Sequence, residues 1–493
     1  MDTTYYLEKA KGLKPLLNET TVRPLPETVP HGRQLWEGDE FTLDFGTHLV
    51  GYATFRFDIP GGDRTPGAPL ELMIRFAEHP CEFDESPYKE GLSRSWFQWE
   101  VVHIDNPLEP FTLPRRYAFR YVKVKLTANN YYYVEFRDCT VRAVSSADFS
   151  AVRPLPEGTD PFVKKIDDVA CKTLHDCMQD VFEDGPKRDR RLWLGDLYLQ
   201  AKTNYYTFRN NALVLRCLYL FAGIPHPDGC LSSAVYHDPI TRPQGWILHD
   251  YALFFIGTLA DYYRATGDAN ALNDLWPVAF RQTEITSAAV SPDTGLVPVN
   301  MYFVDWCAPL DKTCAAQAIY LTMLKEALNL AGIAGTEEQR EFLRGKINAA
   351  SKTLLSMYDA GKGLFVTPQG QVSVHSQMWS VLANVLPLKE NKKVLESALA
   401  LLEAGDIVKT VTPYALHYFA EALILSGLRK DAEKLVLDYW GGMVKLGADC
   451  FYEVYVPGDP DASPYNSPRM NSYCHAWSCT PSYLIRKYGL LLG

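Results

Sequence analysis

The chain has 493 residues, too many for one hydrophobic core, so two or three domains are expected. Its net charge of −10 and the absence of any Lys/Arg-rich run exclude a nucleic-acid role, which needs a basic footprint. Apolar residues at 47% and charged residues at 22% are the balance of a soluble globular protein, and no stretch is long enough to cross a bilayer. The 29 Tyr and 10 Trp serve either a large core or a surface that stacks on sugar rings, and composition alone favours the core.

From about residue 35 to 148 the apolar pattern alternates. EFTLDFG, YATFRFDI, LELMIRFAE, WFQWEVVHI, FRYVKVKLTA and YYYVEFRDCTVRAV read as short strands, separated by Gly/Pro/Asn/Asp clusters such as PGGDRTPGAP and DNPLEP. An antiparallel β-sandwich is expected over residues 1–148. The Pro-containing segment 149–160 reads as a linker. Beyond it, residues 161–493 change to a helical period, with roughly a dozen amphipathic or apolar segments, several ending in Gly. Loops of very unequal length and the lack of a fixed repeat disfavour a solenoid. A dozen helices in hairpins fits a closed (α/α)6 helical barrel, although number alone does not separate it from an open array.

The N-terminus carries no apolar run of signal-peptide length, and the 11 Cys are scattered without framework spacing. Reduced thiols in a cytoplasmic protein are expected. No Cys/His ligand cluster stands out, so neither a metal nor a cofactor is expected.

Two acidic segments carry the chemistry. The first runs from Glu183 to Asp196 between two long predicted helices, with Asp184, Gly185-Pro186, Arg188, Asp189, Trp193 and Gly195 inside it. A merely solvated charged loop has no need of Trp193, and Gly-Pro with Gly195 implies a shaped backbone. Asp196 is also placed to cap the following helix. The second segment, Gly447 to Pro457, sets Glu453 among Phe451, Tyr452 and Tyr455. Burial among these aromatics would raise its pKa. One carboxylate from each of two loops is what glycoside cleavage requires: one protonates the leaving oxygen, the other activates water or attacks the anomeric carbon.

These segments resemble a known family. Asp184-Gly-Pro-Lys-Arg-Asp189 followed by Trp193-Leu-Gly-Asp196 is similar to the D-[C/G]-P-x-R-[E/D]…W-x-G-D loop of the family-78 glycoside hydrolases, the bacterial α-L-rhamnosidases. Gly447-Ala-Asp-Cys-Phe-Tyr-Glu453 resembles that family's G-A-x-x-x-[W/Y]-E segment, and Asn471-Ser-Tyr-Cys-His475-Ala-Trp477 the stretch that follows it. Gly245-Trp246 and Phe303-Val-Asp305-Trp306 match Trp-bearing loops of the barrel. The resemblance runs from about residue 35 to the end.

It implies a six-hairpin glycosidase of short form, without a C-terminal β-domain, that releases terminal α-L-rhamnosyl residues with inversion. It implies Asp189 as general acid and Glu453 as general base. Asp184, Arg188, Trp193 and Asp196 would bind the sugar, as would Trp246, Asp305, Trp306 and His475. Where many relatives carry Glu, this chain has Asp189, which reaches one methylene less far. The implied partner is a small rhamnose-containing glycoside, and a homodimer is left open. The competing readings are a six-hairpin hydrolase for an α-glucoside or a uronide, for which Arg188 would face the carboxylate, and a non-catalytic sugar-binding relative.

Overall fold

The computed structural model describes residues 3–60, 67–84, 96–128, 132–459 and 461–493. Eight strands form one antiparallel sheet: β1 Asn18–Val22, β2 Gln34–Leu35, β3 Glu40–Asp58, β4 Leu70–Ala77, β5 Gln98–Ile104, β6 Phe111–Thr112, β7 Tyr117–Ala128 and β8 Val134–Ser145. The order is β1-β8-β3-β7-β4-β5, with β2 also on β8 and β6 also on β3.

The first half of β3 pairs with β7 and the second half with β8, so one strand passes between two halves of the sheet. Both halves fill one core, where Phe41 and Phe57 meet Phe136 at centroid distances of 4.8 and 5.7 Å. This is the expected sandwich, with EFTLDFG and YATFRFDI merged into a single strand. The change of partner falls at Gly51, where a Cβ would stand 2.3 Å from the Arg142 carbonyl oxygen. Much of the expected Gly/Pro turn at 60–69 lies outside the described residues.

The chain begins with a helix, α1 Thr3–Gly12, that the alternation signal does not show. It packs on the helical domain rather than on the sheet: Tyr6 and Ala10 join the barrel core, and the Tyr5 hydroxyl donates to Asp274 at 2.8 Å. The expected 1–148 unit therefore contains one element that belongs to the barrel.

Twelve helices follow among the described residues: α2 Pro161–Cys177, α3 Leu194–Tyr206, α4 Asn211–Gly223, α5 His249–Thr266, α6 Ala269–Ala288, α7 Thr313–Ala334, α8 Glu337–Leu355, α9 Val374–Leu382, α10 Leu388–Ala404, α11 Pro413–Leu425, α12 Arg429–Lys445 and α13 Pro481–Tyr488. Helices α3, α5, α7, α9, α11 and α13 touch in succession, and α13 returns to α3, which closes the ring. The others pack outside it, with α2 against α12 and α13.

Burial follows from composition. Inner α5 is buried continuously from His249 to Ala260, whereas outer α8 buries only Leu343, Ala350 and Leu354. Polar residues start the helices where expected: Thr336 makes a capping box with Gln339, and Asn210, Asp268, Ser373 and Thr412 cap α4, α6, α9 and α11.

The connections are asymmetric. From inner to outer helix they are short, at 207–210, 267–268, 335–336, 383–387 and 426–428. From outer to inner they are the longer segments 178–193, 224–248, 289–312, 356–373, 405–412 and 446–480. All of these open at the end where the inner helices begin. A site can be built there without disturbing the ring.

Candidate active site

The loop 178–193 is shaped by backbone contacts. Leu192–Trp193 forms a two-residue strand against Ala234–Tyr236, which sets Trp193 at the start of α3. Gly185 comes so close to the 446–480 loop that a Cβ would lie 3.3 Å from the Cys474 carbonyl oxygen. Arg190 adopts a left-handed φ of 53°, strain of the kind held at functional sites. Gly195 is required outright: a Cβ would stand 2.4 Å from the Tyr251 ring, which lines the site beneath it.

These loops enclose a cavity of about 110 Å3. That is well below the ~300–1,000 Å3 of drug-sized pockets and suits one sugar ring. Asp184, Arg188, Asp189, Trp193, Asp196, Trp246, Trp306, Glu453 and His475 all line it. Leu248, Tyr251, Phe303, Tyr465 and Trp477 complete the wall. Trp246 and Trp306 are 68% and 46% exposed, so they form its mouth.

One expected residue is not part of the lining. Asp305 is buried, and its carboxylate accepts from Val411 N, Thr412 N, Thr412 Oγ1 and Trp306 N at 2.9, 3.2, 2.6 and 2.8 Å. It also meets His375 Nε2 at 2.7 Å. With its oxygens committed to the framework, Asp305 holds the Trp306 loop and stays out of the cavity lining. Asp250 does similar work, accepting from Phe303 N and Val304 N at 2.9 and 3.0 Å.

Glu453 is buried and enclosed by donors. Tyr465 Oη donates to its Oε1 at 2.6 Å, Ser472 N to its Oε2 at 3.1 Å, and Arg188 Nη2 stands 3.3 Å from Oε1. Burial pushes its pKa up, as the aromatic neighbours suggest, but Arg188, His475 and these hydrogen bonds outweigh it. The net shift is downward, so Glu453 is ionised. Sequence reasoning missed Tyr465, which lies in a Pro/Asp/Ser-rich loop with no periodic signal.

Arg188 ties the two acidic loops together. Its guanidinium bridges Glu453 and Asp189, with Nε 3.4 Å from Asp189 Oδ1, and donates to Met470 O and Tyr465 Oη, both at 2.7 Å. Arg190 points away, donating to Pro186 O at 2.8 Å and to Gln98 Oε1 at 3.3 Å.

Asp184 and Asp196 are both buried, and burial first, then nearby carboxylates, pushes their pKa values well above the usual range. Asp196 stands in the first turn of α3 rather than at its N-cap, which is Trp193, so the expected capping role is absent. Burial also drives His475 down to about 4, and its ring is neutral at pH 7. Asp196 Oδ1 and His475 Nδ1 lie 3.8 Å apart and neither has a hydrogen-bond partner among the described residues. Buried polar atoms of this kind need partners, and a ligand hydroxyl, which both donates and accepts, has the chemistry to supply one.

No metal cluster stands out in the sequence, yet His48, Asp176, Cys450 and Cys474 bring ligand atoms within 4.8 Å of one another. They come from segments far apart in the chain, so spacing could not show the group. His48 Nδ1 stands 2.6 Å from Asp176 Oδ2 and its Nε2 3.2 Å from Glu78, while Lys172 also bonds Asp176. Both ring nitrogens face carboxylates at hydrogen-bond distance, the pattern of a buried ion cluster between the sheet and α2.

Known proteins share both halves of this architecture. Residues 25–143 match the glycosyl hydrolase family 78 α-rhamnosidase N-terminal domain, and residues 157–488 the bacterial α-L-rhamnosidase six-hairpin glycosidase domain. The chain belongs to the bacterial α-L-rhamnosidases of glycosyl hydrolase family 78. Its structure is similar to that of a rhamnosidase from Klebsiella oxytoca with rhamnose bound, at 37% identity over 99% of each chain and a TM-score of 0.92. Two more distant likenesses show the fold. The family 78 rhamnosidase of Bacillus sp. GL1 is 19% identical over 94% of this chain and 48% of that one, with a TM-score of 0.77. The Streptomyces avermitilis α-L-rhamnosidase, complexed with L-rhamnose, is 19% identical over 96% and 44%, with a TM-score of 0.71. A comparison with curated protein sequences gave no match.

In this chain the Arg188 guanidinium is the foremost influence that holds the Glu453 carboxylate low. Arg188→Gln removes the foremost influence holding the Glu453 carboxylate low, and leaves burial, which raises it. The Glu453 carboxylate then needs a higher pH to be ionised. The acid limb of kcat/KM is expected to move toward neutrality in the variant, while that of the parent lies below pH ~4.5, the ordinary carboxylate range. A pH series of initial rates measures this; unmoved limbs would remove Arg188 from that role.

Proposed function

We propose that this α-L-rhamnosidase works with inversion, Asp189 acting as general acid and Glu453 as general base on a small rhamnose-containing glycoside. The observation that carries the reading is a pair of carboxylates from loops 178–193 and 446–480 facing one sugar-sized cavity, with Glu453 held ionised by Arg188 and Tyr465. An ionised base is what deprotonation of an attacking water needs. Asp189 keeps partial access to solvent, its side chain 26% exposed, in keeping with an acid that meets a leaving group at the mouth. Asp184, Asp196 and His475 present polar atoms to hydroxyls. Trp193, Leu248 and Phe303 supply apolar surface that suits the C6 methyl of rhamnose.

A uronide is disfavoured by the same geometry. Among the described residues that line the cavity Arg188 is the one Lys or Arg, and its guanidinium is taken up by Glu453, Tyr465 and Met470. The 11 cysteines are all free thiols, ten of them buried, which fits a reducing cytoplasm. Among the described residues no helix is long and apolar enough to cross a membrane. The purified protein, screened against a panel of nitrophenyl glycosides, should release nitrophenol from the α-L-rhamnoside and not from the α-glucoside or the uronide. Turnover of another sugar in preference would contradict the reading.

A further inference from the structure

Lys187 sits two residues before Asp189, and a lysine is almost never fully buried without partners. This one is 3% exposed. Its Nζ donates to the Asn471 carbonyl at 2.7 Å and lies 3.1 Å from Glu82 Oε2 and 3.3 Å from Glu78 Oε2. Both glutamates come from the sheet domain, Glu78 just after β4 and Glu82 in the turn Pro80–Phe83. Each is itself held. Glu82 Oε1 accepts from the backbone N of Glu78 and of His79, both at 3.1 Å. Glu78 accepts from Tyr473 N at 2.7 Å and meets His48 Nε2 at 3.2 Å.

The carbonyl that Lys187 grips belongs to the segment that positions the base. Asn471 Nδ2 donates to Val454 O at 2.9 Å, and the next residue, Ser472, donates its N–H to Glu453 Oε2 at 3.1 Å. One ammonium thus joins the loop of the acid, the segment behind the base and two carboxylates of the other domain.

We propose that Lys187 is a positioning residue that fixes the placement of Asp189 relative to Glu453, and that Glu78 and Glu82 make the sheet domain part of this apparatus. The inference rests on the hydrolase reading above. Burial alone would strip the charge from Lys187, but Glu82 and Glu78 more than offset it and keep it an ammonium. Glu78 is held below the usual carboxylate range despite its burial, because Lys187 and His48 face it. Burial raises Glu82 to about 7 against the pull of Lys187. The group is fully enclosed, so its geometry is fixed rather than averaged by solvent. Catalysis is sensitive to such fixing: a displacement of ~1 Å costs about 10²-fold.

The test uses the full chain with Lys187→Met, which keeps the volume and removes the ammonium. Turnover of an alkyl α-L-rhamnoside, whose poor leaving group needs the proton of the acid, gives kcat, and calorimetric titration with L-rhamnose gives Kd and stoichiometry. The expected result is kcat lower by about 10²-fold, with full stoichiometry and Kd within about threefold of the parent. A merely structural role would lower stoichiometry in step with kcat, and that result would overturn the proposal. If Lys187→Met does not fold, Glu82→Gln decides. It keeps the oxygen that accepts from Glu78 and His79 but turns an NH2 toward Lys187, and kcat should fall by about tenfold with rhamnose binding kept. Parental kcat in a folded variant would overturn the proposal, whereas a parent chain inactive on every α-L-rhamnoside would instead sink the functional reading beneath it.

Discussion

Asp189→Asn is expected to lower kcat by about 10²–10⁴-fold on rhamnosides with poor leaving groups, the range that a positioned general acid contributes. Nitrophenyl α-L-rhamnoside should suffer much less, since its leaving group departs without a proton. The substitution keeps the shape of the side chain, and the Arg188 contact to Asp189 Oδ1 at 3.4 Å can persist with the amide oxygen. The loop itself is held by Gly185, Lys187 and the Arg190 turn, none of which depends on the Asp189 carboxyl. Melting temperature should therefore stay close to that of the parent. Equal losses on both substrate types would take Asp189 out of the acid role.

Glu453→Gln should reduce turnover on every rhamnoside, activated or not, by about 10²–10⁴-fold or more, because water activation is needed whatever the leaving group. Glutamine is isosteric, and its oxygen can still accept from Tyr465 Oη, now 2.6 Å from Oε1. Arg188 retains Met470 O and Tyr465 Oη as acceptors, so it is not left as an unpaired buried charge. Binding of L-rhamnose, measured by calorimetry, should survive. The two variants therefore differ in one readout: rescue by a good leaving group for Asp189→Asn, none for Glu453→Gln. A Glu453→Gln protein with substantial turnover would contradict the assignment.

Much of the fold is legible in the sequence, for physical reasons that vary with the element. Alternation locates the strands because one face of each is buried. It does not show that the segments flanking Gly46 to Gly51 are one strand, since the bulge between Asp44 and Leu49 interrupts the pattern while hydrogen bonding continues. Helix α1 is silent because its burial rests on few residues, Tyr6 and Ala10, and on long-range bonds to Asp274. Ring closure is beyond periodicity, which describes each helix and not its neighbours.

In the site, Asp189, Glu453 and the residues around them are readable because acidic groups beside Trp, Gly and Pro are unusual in a solvated loop. Asp305 looks the same in sequence, next to Trp306, yet its carboxylate is spent on Thr412 and His375, both far along the chain. The direction of the Glu453 shift is hidden for a like reason, because Arg188 lies 265 positions upstream. Tyr465 and the Glu78–Lys187 contact are tertiary meetings of residues that no local pattern links.

The most direct test of inversion is the anomer released first. Proton NMR of an early reaction mixture of the parent enzyme with an α-L-rhamnoside should show β-L-rhamnose appearing before the α-anomer, which then grows by mutarotation. That order follows from a water activated by Glu453 on the face opposite the leaving oxygen. If α-L-rhamnose is the first product, the reaction retains configuration, Glu453 is not a base acting on water, and the inverting mechanism is contradicted.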